Sequence, residues 1–439
     1  MTRKIHLAAF LISGPVAHSH QIWRKQPPGA FLAANYYLDI ARKLEQGLFD
    51  LAFFADRLAV SNRYGNSHQF GVKYGDQDAT RLDPLPLLSA MSTATQHLGL
   101  GLTRSTTYYQ PFSLARELST LDHLSAGRAA WNVVTSVNEG EARNFGLKTH
   151  LNHDQRYDRA DEFLELTNKL WHSWEPDALK LDAEFGVYAD PSRVHKVVHQ
   201  GTYFETEGLL NLPSSPQERP VIIQAGSSGR GQDFAARWAE VVFSIQSDLS
   251  RMQAFYTSLK QRSGQFGRSA DDINILTAVM PFVASTAAEA QEQLEEHNRD
   301  IRPQVGLSTL SAHMNVDFSV YSPDLPLREL KDLQVCGMQG IFSLAQSLGD
   351  ERSLTLGHVG RLYAQSVLVP QVAGTPVQVA DWLEEAFRER GSDGFVISPA
   401  SLPRGFDAFV EGVVPELQNR GLFRESYQGN TLRENLQHS

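Results

Sequence analysis

The chain has 439 residues, of which 41% are hydrophobic and 21% charged, so it contains enough apolar material for a large core. Its formal net charge of −10 argues against a nucleic-acid partner, which would require a basic face. The single cysteine, Cys336, excludes an internal disulfide framework and a cysteine-rich metal site, and no apolar run approaches the ~20 residues of a membrane span. We therefore expect a cytoplasmic protein with no nucleic-acid or membrane partner.

Eight short apolar segments along the chain are predicted to be strands, and segments with helical periodicity separate most of them. Nearly continuous apolar strands that alternate with helices are typical of a parallel sheet covered by helices. Eight such strands favour a closed (β/α)8 TIM barrel over an open sheet. In chain order the predicted strands are residues 4–12, 49–56, 98–106, 128–136, 220–226, 240–246, 272–284 and 394–399.

Cap residues mark where several of the predicted helices begin and end. Gly47 is placed to end the helix that follows strand 1. Asn152 is a candidate cap for the helix that follows strand 4. Thr375 followed by Pro376 is typical of a helix start, because threonine caps well and proline suits the first helical position.

Two segments interrupt the alternation of strands and helices. Residues 175–217, after strand 4, are rich in turn-forming and aromatic residues and are predicted to leave the barrel. Residues 303–372 form a longer insertion after strand 7, and the stretch HMNVDFSVYSPDLPL within it is a candidate lid. Residues 421–439 are expected to form a C-terminal arm, and residues 1–439 a single domain.

Polar residues stand where the predicted strands end, which is where functional residues gather in (β/α)8 barrels. They are Asp56 after strand 2, Thr103 in strand 3 and Asn132 in strand 4. The stretch AGSSGRG, residues 225–231, follows strand 5 and begins a predicted helix. Its backbone N–H groups and two serine hydroxyls would point outward at the helix N-terminus, which suits a phosphate. The stretch lacks the lysine of a Walker A loop, and an ordinary turn with a serine cap is the alternative.

The stretch LNHDQRYDRADEF, residues 151–163, collects polar side chains at the start of a predicted helix. If Asn152 is the cap, His153 lies in the first turn and Tyr157 lies four residues later on the same face. An imidazole and a phenol would then project together from the positive end of the helix, both able to donate to a phosphate. In the alternative interpretation, the two side chains only cover apolar neighbours.

Other candidates are weaker. His20 and Ser136 are possible proton-handling groups, although each also fits a structural role. His18 and His20 flank Ser19, but two histidines without a nearby carboxylate make a poor metal site, so we predict no metal. No nucleophile elbow is present. Aromatic residues are expected to wall the barrel mouth, and the candidates for contact with a substrate are Phe10, Phe54 and Tyr108.

Five blocks occur in order along most of the chain: FDLAFFAD, LGLGLTRSTTYYQPFSLARELSTLDHLSAGRAAWNVVTS, NHDQRYDRADEF, PVIIQAGSSGRG and GTPVQVADWLEEAF. Together they resemble the bacterial luciferase-like flavin monooxygenases. The resemblance is closest to the branch with nitrilotriacetate, dibenzothiophene-sulfone and long-chain-alkane monooxygenases. It implies a luciferase-like TIM-barrel domain that binds FMN and insertions after strands 4 and 7.

The resemblance also implies which residues contact the flavin. Its FMN contacts fall on Asp56, Thr103, His153, Tyr157 and Ser227, with Ser228 and Asn132 as neighbours. His153, Tyr157 and the two serines correspond to the phosphate end of the flavin. Asp56, Thr103 and Asn132 correspond to its ring system. One departure from the pattern is Arg104, which either faces the pocket and attracts an acidic substrate or forms a salt bridge between barrel and helix.

The function implied is that of a two-component monooxygenase. A separate NAD(P)H-dependent reductase would supply reduced FMN, whose C4a-peroxyflavin, formed with O2, would oxygenate a small organic substrate at or beside nitrogen or sulfur. Barrels of this group usually pair, so a homodimer or homotetramer is expected. The alternatives are a deazaflavin-dependent hydride-transfer oxidoreductase, a non-catalytic flavin-binding protein and a metal-dependent barrel hydrolase.

Overall fold

A computed structural model of the protein describes residues 3–20, 22–333, 335 and 337–437; Cys336 therefore lies outside the described residues. Within these ranges no helix combines the length and the apolar character needed to cross a membrane.

Eight parallel strands close into a barrel, which confirms the predicted (β/α)8 fold. Each strand pairs with the next around the ring, and the last pairs with the first. All eight predicted strands are present, with their ends trimmed by a few residues. The barrel strands are β1 (His6–Ile12), β2 (Leu51–Ala55), β3 (Gly99–Ser105), β4 (Ala129–Val134), β9 (Val221–Gln224), β10 (Val241–Ser244), β11 (Asn274–Val283) and β13 (Gly394–Ile397).

Helices surround the barrel and cover its two ends. In chain order they are α1 (Ala34–Gln46), α2 (Gln69–Tyr74), α3 (Pro84–Ser92), α4 (Pro111–Leu124), α5 (Glu139–Asn144), α6 (His153–Trp171), α7 (Gly229–Trp238), α8 (Leu249–Ser263), α9 (Ala287–Arg299), α10 (Pro303–Met314), α11 (Gln339–Arg352), α12 (Leu356–Ser366), α13 (Pro376–Arg388), α14 (Val414–Asn419) and α15 (Leu432–Gln437).

The predicted caps are confirmed. The side chain of Asn152 accepts the N–H of Gln155 at 2.9 Å, so α6 begins at His153 as expected. Thr375 caps α13, with Pro376 in its first turn, and Gly47 ends α1.

The first insertion contains two antiparallel hairpins that periodicity did not predict. They are β5 (Leu179–Asp182) with β6 (Val187–Ala189), and β7 (Val197–Gln200) with β8 (Glu205–Gly208). Each strand has only three or four residues, which is too short for a reliable alternation signal.

The second insertion is a helical layer formed by α10, α11 and α12, which have an apolar cluster of their own around Phe318 and Tyr363. A short strand, β12 (Gln371–Gly374), lies at the predicted end of this insertion, about residue 372, and pairs with the second half of β11, outside the closed ring.

The C-terminal arm packs against the end of the barrel opposite the carboxyl ends of the strands. Leu432 and Leu436 of α15 are buried, and the hydroxyl of Tyr427 donates to the carbonyl of Phe49 at 2.8 Å. Since Phe49 lies two residues before β2, the arm closes the amino end and leaves the other end to the insertions.

Candidate active site

Two adjoining cavities lie at the carboxyl ends of the barrel strands. The inner cavity, about 200 Å³, lies within the barrel mouth, and Phe10, Thr103 and Asn132 are among its lining residues. The outer cavity, about 180 Å³, reaches the N-termini of α6 and α7. The two share a wall that includes Asp56 and Ser227, so one elongated ligand can span both.

The outer cavity is built on two helix N-termini that converge. Ser228 caps α7 by accepting the N–H of Gly231 at 3.1 Å, and His153 of α6 places Nε2 3.4 Å from the hydroxyl oxygen of Ser228. Tyr157 lies one turn further along α6, and its ring centroid is 5.1 Å from that of His153. Backbone N–H groups of both helices and three polar side chains therefore face one space, an arrangement suited to an anion.

Tyr157 stays protonated in this setting. Burial raises the pKa of its phenol, against hydrogen bonds to Ser228 and Gln224 that lower it. The hydroxyl is therefore a donor over the whole physiological pH range. A Cβ on Gly231 would lie only 2.8 Å from the Tyr157 oxygen, so the glycine is required by the close approach of helix and phenol.

The polar edge of the inner cavity is formed by Thr103 and Asn132. The Thr103 hydroxyl donates to the carbonyl of Phe54 at 2.8 Å and accepts from Asn132 Nδ2 at 2.9 Å. Asn132 Oδ1 is buried and accepts no hydrogen bond from any residue that the structure describes. Buried polar atoms are normally satisfied, so this oxygen is suited to accept an N–H from a bound ligand.

Asp56 lies on the wall between the cavities, where burial raises the pKa of its carboxyl to about 6, while Arg81 and Arg104 act in the opposite direction. Its Oδ1 accepts the N–H of Arg57 at 2.8 Å, and Arg104 Nη1 lies 3.6 Å from Oδ2. The carboxyl therefore changes protonation close to neutral pH, unlike an ordinary surface aspartate.

This pKa predicts a pH-dependent effect of the Asp56→Asn variant on stability. The folded-state pKa exceeds the unfolded value of 3.8. The free energy of unfolding of the wild type therefore falls as pH rises from about 4 to about 6, because Asp56 ionises less readily in the folded protein. Two pKa units correspond to on the order of 3 kcal/mol. Denaturant unfolding measures the free energy of unfolding of both proteins at pH 4 and at pH 7. Relative to wild type, that of the variant should be higher at pH 7 than at pH 4 by this amount, and a difference independent of pH would contradict the assignment.

Aromatic rings wall the rest of the inner cavity. The rings of Phe10 and His18 stack with centroids 3.6 Å apart, and Phe53 and Phe243 lie about 6 Å from Phe10. Burial, followed by the neighbouring His20, lowers the pKa of His18 to about 3, so its imidazole is neutral. These four rings therefore form an apolar, uncharged side of the cavity that suits a flat ring.

The insertion after β11 contributes one polar group to the inner cavity. His313 of α10 hydrogen-bonds through Nδ1 to the hydroxyl of Tyr363, and burial lowers its pKa well below the ordinary value. Its Nε2 is buried without a hydrogen-bond partner in the part of the chain that the structure describes. His313 lay inside the predicted lid stretch but was not singled out, since nothing local indicated that it faces the barrel.

The same insertion closes over both cavities. Met338 and Gly340, at the start of α11, line each of them, and Arg57 Nη2 lies 3.5 Å from the Met338 sulfur. A Cβ on Gly340 would lie 1.8 Å from the hydroxyl oxygen of Ser227. The helical layer therefore rests directly on the loop that caps α7.

All seven residues predicted to contact the flavin line these cavities, and so do two of the other candidates. Phe10 is on the inner wall and Ser136 on the outer wall, where the Ser136 hydroxyl donates to that of Ser105 at 2.9 Å. The seven are Asp56, Thr103, Asn132, His153, Tyr157, Ser227 and Ser228.

The placement of Phe54 and Tyr108 corrects the predicted substrate wall. Side chains alternate along a strand, so Phe53 faces the cavity and Phe54 faces the helices, against Tyr37 at 6.0 Å. Tyr108 stacks on Phe145 at 4.8 Å, outside both cavities.

Arg104 and His20 also lie outside the two cavities. Arg104 forms the predicted alternative, a salt bridge between barrel and helix, with Nη2 2.6 Å from Asp83 at the start of α3. His20 hydrogen-bonds to Thr309 at 2.7 Å and to the carbonyl of Ala364, and burial lowers its pKa to about 4. It ties the loop after β1 to the helical layer.

Comparison with known proteins agrees with this geometry. Residues 14–394 match the family model of the luciferase-like monooxygenases. The chain is 49% identical to a dibenzothiophene-sulfone monooxygenase of Rhodococcus erythropolis (strain XP), over 99% of this chain and 96% of that protein. It is 40% identical to the N-acetyl-S-(2-succino)cysteine monooxygenase of Bacillus subtilis (strain 168), with the same coverage.

Solved structures give the same result. The long-chain alkane monooxygenase LadA superposes with a TM-score of 0.87 at 37% identity, over 99% of this chain and 96% of that one. DmoA from Hyphomicrobium sulfonivorans superposes with a TM-score of 0.90 at 35% identity, over 99% and 92%. The chain belongs to the luciferase-like monooxygenase family. It is a flavin-dependent monooxygenase of the two-component type.

Proposed function

We propose that this enzyme uses reduced FMN, supplied by a separate NAD(P)H-dependent reductase, and O2 to oxygenate a ring-bearing sulfur compound. The observation that supports this proposal is the pairing of the two cavities. The outer one presents two helix N-termini and the donors His153, Tyr157 and Ser228, which suit a phosphate monoester. The inner one, reached across Asp56, has aromatic side chains along one side that suit a ring system.

The residues of the chain bind and orient the cofactor. Ser227 and Tyr157 would hold the phosphate, while the free Oδ1 of Asn132 and the hydroxyl of Thr103 would meet the polar edge of the ring. When bound, reduced FMN supplies the electrons that activate O2. The helical layer, with Met338 over the shared wall, excludes water from the reacting centre.

The substrate class follows from the inner wall and from the relatives. Four aromatic rings and the neutral Nε2 of His313 offer stacking surfaces and one hydrogen-bonding atom, and the two arginines of the lining, Arg57 and Arg81, form ion pairs with Asp78. A relative at 49% identity is named for a dibenzothiophene sulfone, and others for a succinyl-cysteine thioether and for dimethyl sulfide. An aromatic sulfone fits the wall better than a small sulfide or a polycarboxylate.

The test is turnover with photoreduced FMN and O2, which removes any dependence on the natural reductase. The panel is dibenzothiophene sulfone, dimethyl sulfide, nitrilotriacetate and a long-chain alkane, with oxygenated product measured by mass spectrometry and 18O2 as the label source. We expect label in the product from the sulfone and the lowest KM for it. Preference for nitrilotriacetate or the alkane would refute the substrate class.

The same assay separates the alternatives. Turnover with reduced deazaflavin in the absence of O2 would indicate hydride transfer. Tight flavin binding with no consumption of any panel member would indicate a non-catalytic protein. Loss of activity with a chelator would indicate a metal-dependent hydrolase.

A further inference from the structure

Two guanidinium groups line the inner cavity, and they differ in how the protein uses their N–H groups. All three nitrogens of Arg81 donate: Nε and Nη1 to backbone carbonyls at 3.2 and 2.9 Å, and Nη2 to Asp78 Oδ1 at 3.0 Å. Arg57 lies 3.5 Å from Asp78, but its buried Nη1 has no hydrogen-bond partner among the described residues. Its Nη2 contacts the thioether of Met338, a weak acceptor. Arg57 therefore brings unused donors to the cavity.

His313 brings a second unused donor to the same cavity. Burial raises the pKa of the Tyr363 phenol, so its hydroxyl keeps its proton, and His313 Nδ1 is the one hydrogen-bond partner that the described residues supply to it. The hydroxyl therefore donates to Nδ1. Burial, followed by Arg57 and Arg81, lowers the pKa of His313, so the ring is neutral and its single proton lies on Nε2. That N–H has no partner in the described part of the chain.

The charges around these donors favour an uncharged ligand. Asp78 pairs with both guanidinium groups, and Arg81 also acts on Asp56, which is largely ionised at neutral pH because its pKa is about 6. A carboxylate or a sulfonate would add a further negative charge to this buried site. A neutral group with two strong acceptor oxygens would satisfy both donors and leave the charges balanced.

We propose that Arg57 and His313 bind a sulfonyl group, each donating to one of its two oxygens, and so favour an aromatic sulfone over the corresponding sulfide. This inference rests on the proposed function, in which the substrate is a ring-bearing sulfur compound. The S–O bonds of a sulfone are strongly polarised, whereas a sulfide sulfur accepts hydrogen bonds only weakly. The aromatic side of the same cavity, which includes Phe10 and Phe243, holds the ring system.

The test compares dibenzothiophene sulfone with dibenzothiophene, which has the same rings and no oxygen atoms. Equilibrium dialysis with enzyme loaded with oxidised FMN, which cannot turn over, gives the dissociation constant of each ligand. The Arg57→Met variant should lose roughly tenfold or more of its affinity for the sulfone, because a charged donor is removed. Its affinity for dibenzothiophene should change by less than about twofold. An unchanged sulfone affinity, an equal loss for both ligands, or no measurable binding of the sulfone to wild type would overturn the proposal.

Matched variants separate the proposed contacts from general effects of substitution. Arg143→Met removes an arginine of α5 whose side chain is 48% exposed, and it should change neither affinity. His313→Gln, whose amide can still donate near the position of Nε2, should keep most of the sulfone affinity, and His313→Leu should lose it. Equal sulfone affinities in the glutamine and leucine variants would overturn the role of His313.

A second measurement does not depend on the folding of any variant. Infrared difference spectra of the wild-type complex, recorded with isotope-labelled sulfonyl oxygens, isolate the S–O stretching bands of the bound sulfone. These bands should lie at lower wavenumber than in an apolar solvent, because hydrogen bonding weakens the S–O bonds. Bands at the apolar-solvent position would overturn the proposal.

The two proposals fail in different ways. Sulfone binding that depends on Arg57, without labelled product in the turnover assay, would refute the proposed function and leave the roles of Arg57 and His313 standing. Turnover of the sulfone with unchanged affinity in Arg57→Met would refute those roles alone.

Discussion

Replacing Gly340 by alanine should weaken binding of reduced FMN by about 1–3 kcal/mol and raise the fraction of O2 released as hydrogen peroxide. The added Cβ would lie 1.8 Å from Ser227 Oγ and 2.7 Å from Ser227 Cβ, so rotating the hydroxyl alone cannot relieve the contact. The start of α11 must therefore move away from the loop that caps α7, which opens both cavities to water. Anaerobic flavin titration and peroxide yield measure the two effects.

The control for this prediction is a double-mutant cycle. In a Ser227→Gly background both close atoms are gone, so adding Gly340→Ala should cost little beyond the loss of the Ser227 hydroxyl itself. If Gly340→Ala has the same effect in both backgrounds, the contact with Ser227 is not what holds the helical layer closed.

If the buried Tyr157 hydroxyl donates to the FMN phosphate, as we propose, removing it should weaken reduced-FMN binding by about 1–3 kcal/mol. Ser227→Ala should have an effect of the same size for the same reason. Both are measured by titration of Tyr157→Phe and Ser227→Ala with FMN and with riboflavin, which lacks the phosphate.

The ligand pair makes the prediction specific. Riboflavin affinity should be nearly unchanged in both variants, and Tyr188→Phe, which removes an exposed hydroxyl on the β5–β6 hairpin, should change neither titration. Equal weakening of FMN and riboflavin would place the phosphate elsewhere.

Local signals were sufficient for the barrel and for much of the candidate site. Each barrel strand is an apolar run bounded by polar or turn residues, and caps such as Asn152 and Thr375 satisfy helix N–H groups within three residues. Because parallel strands end at one edge of the barrel, residues that follow them in sequence meet in space. Asp56, Thr103 and Asn132 could therefore be placed in one site without coordinates.

The remaining residues depended on which face of an element points inward. Phe53 and Phe54 are equally apolar and adjacent, and only the packing of β2 against α1 decides that Phe53 lines the cavity. Arg104 offered two roles in the sequence, and the position of Asp83 on the neighbouring helix selects the salt bridge.

The (β/α)8 barrel, its helix caps and the polar residues at the strand ends could be predicted from short segments, because periodicity, capping and parallel strand order are local properties. How the helical layer closes the mouth depends on tertiary packing, which brings His313 into the cavity lined by Phe10 and Asn132 and places Gly340 against Ser227. The same packing leaves the β5–β6 hairpin uncovered. Contacts between distant segments depend on packing of the whole fold, and no local pattern carries that information.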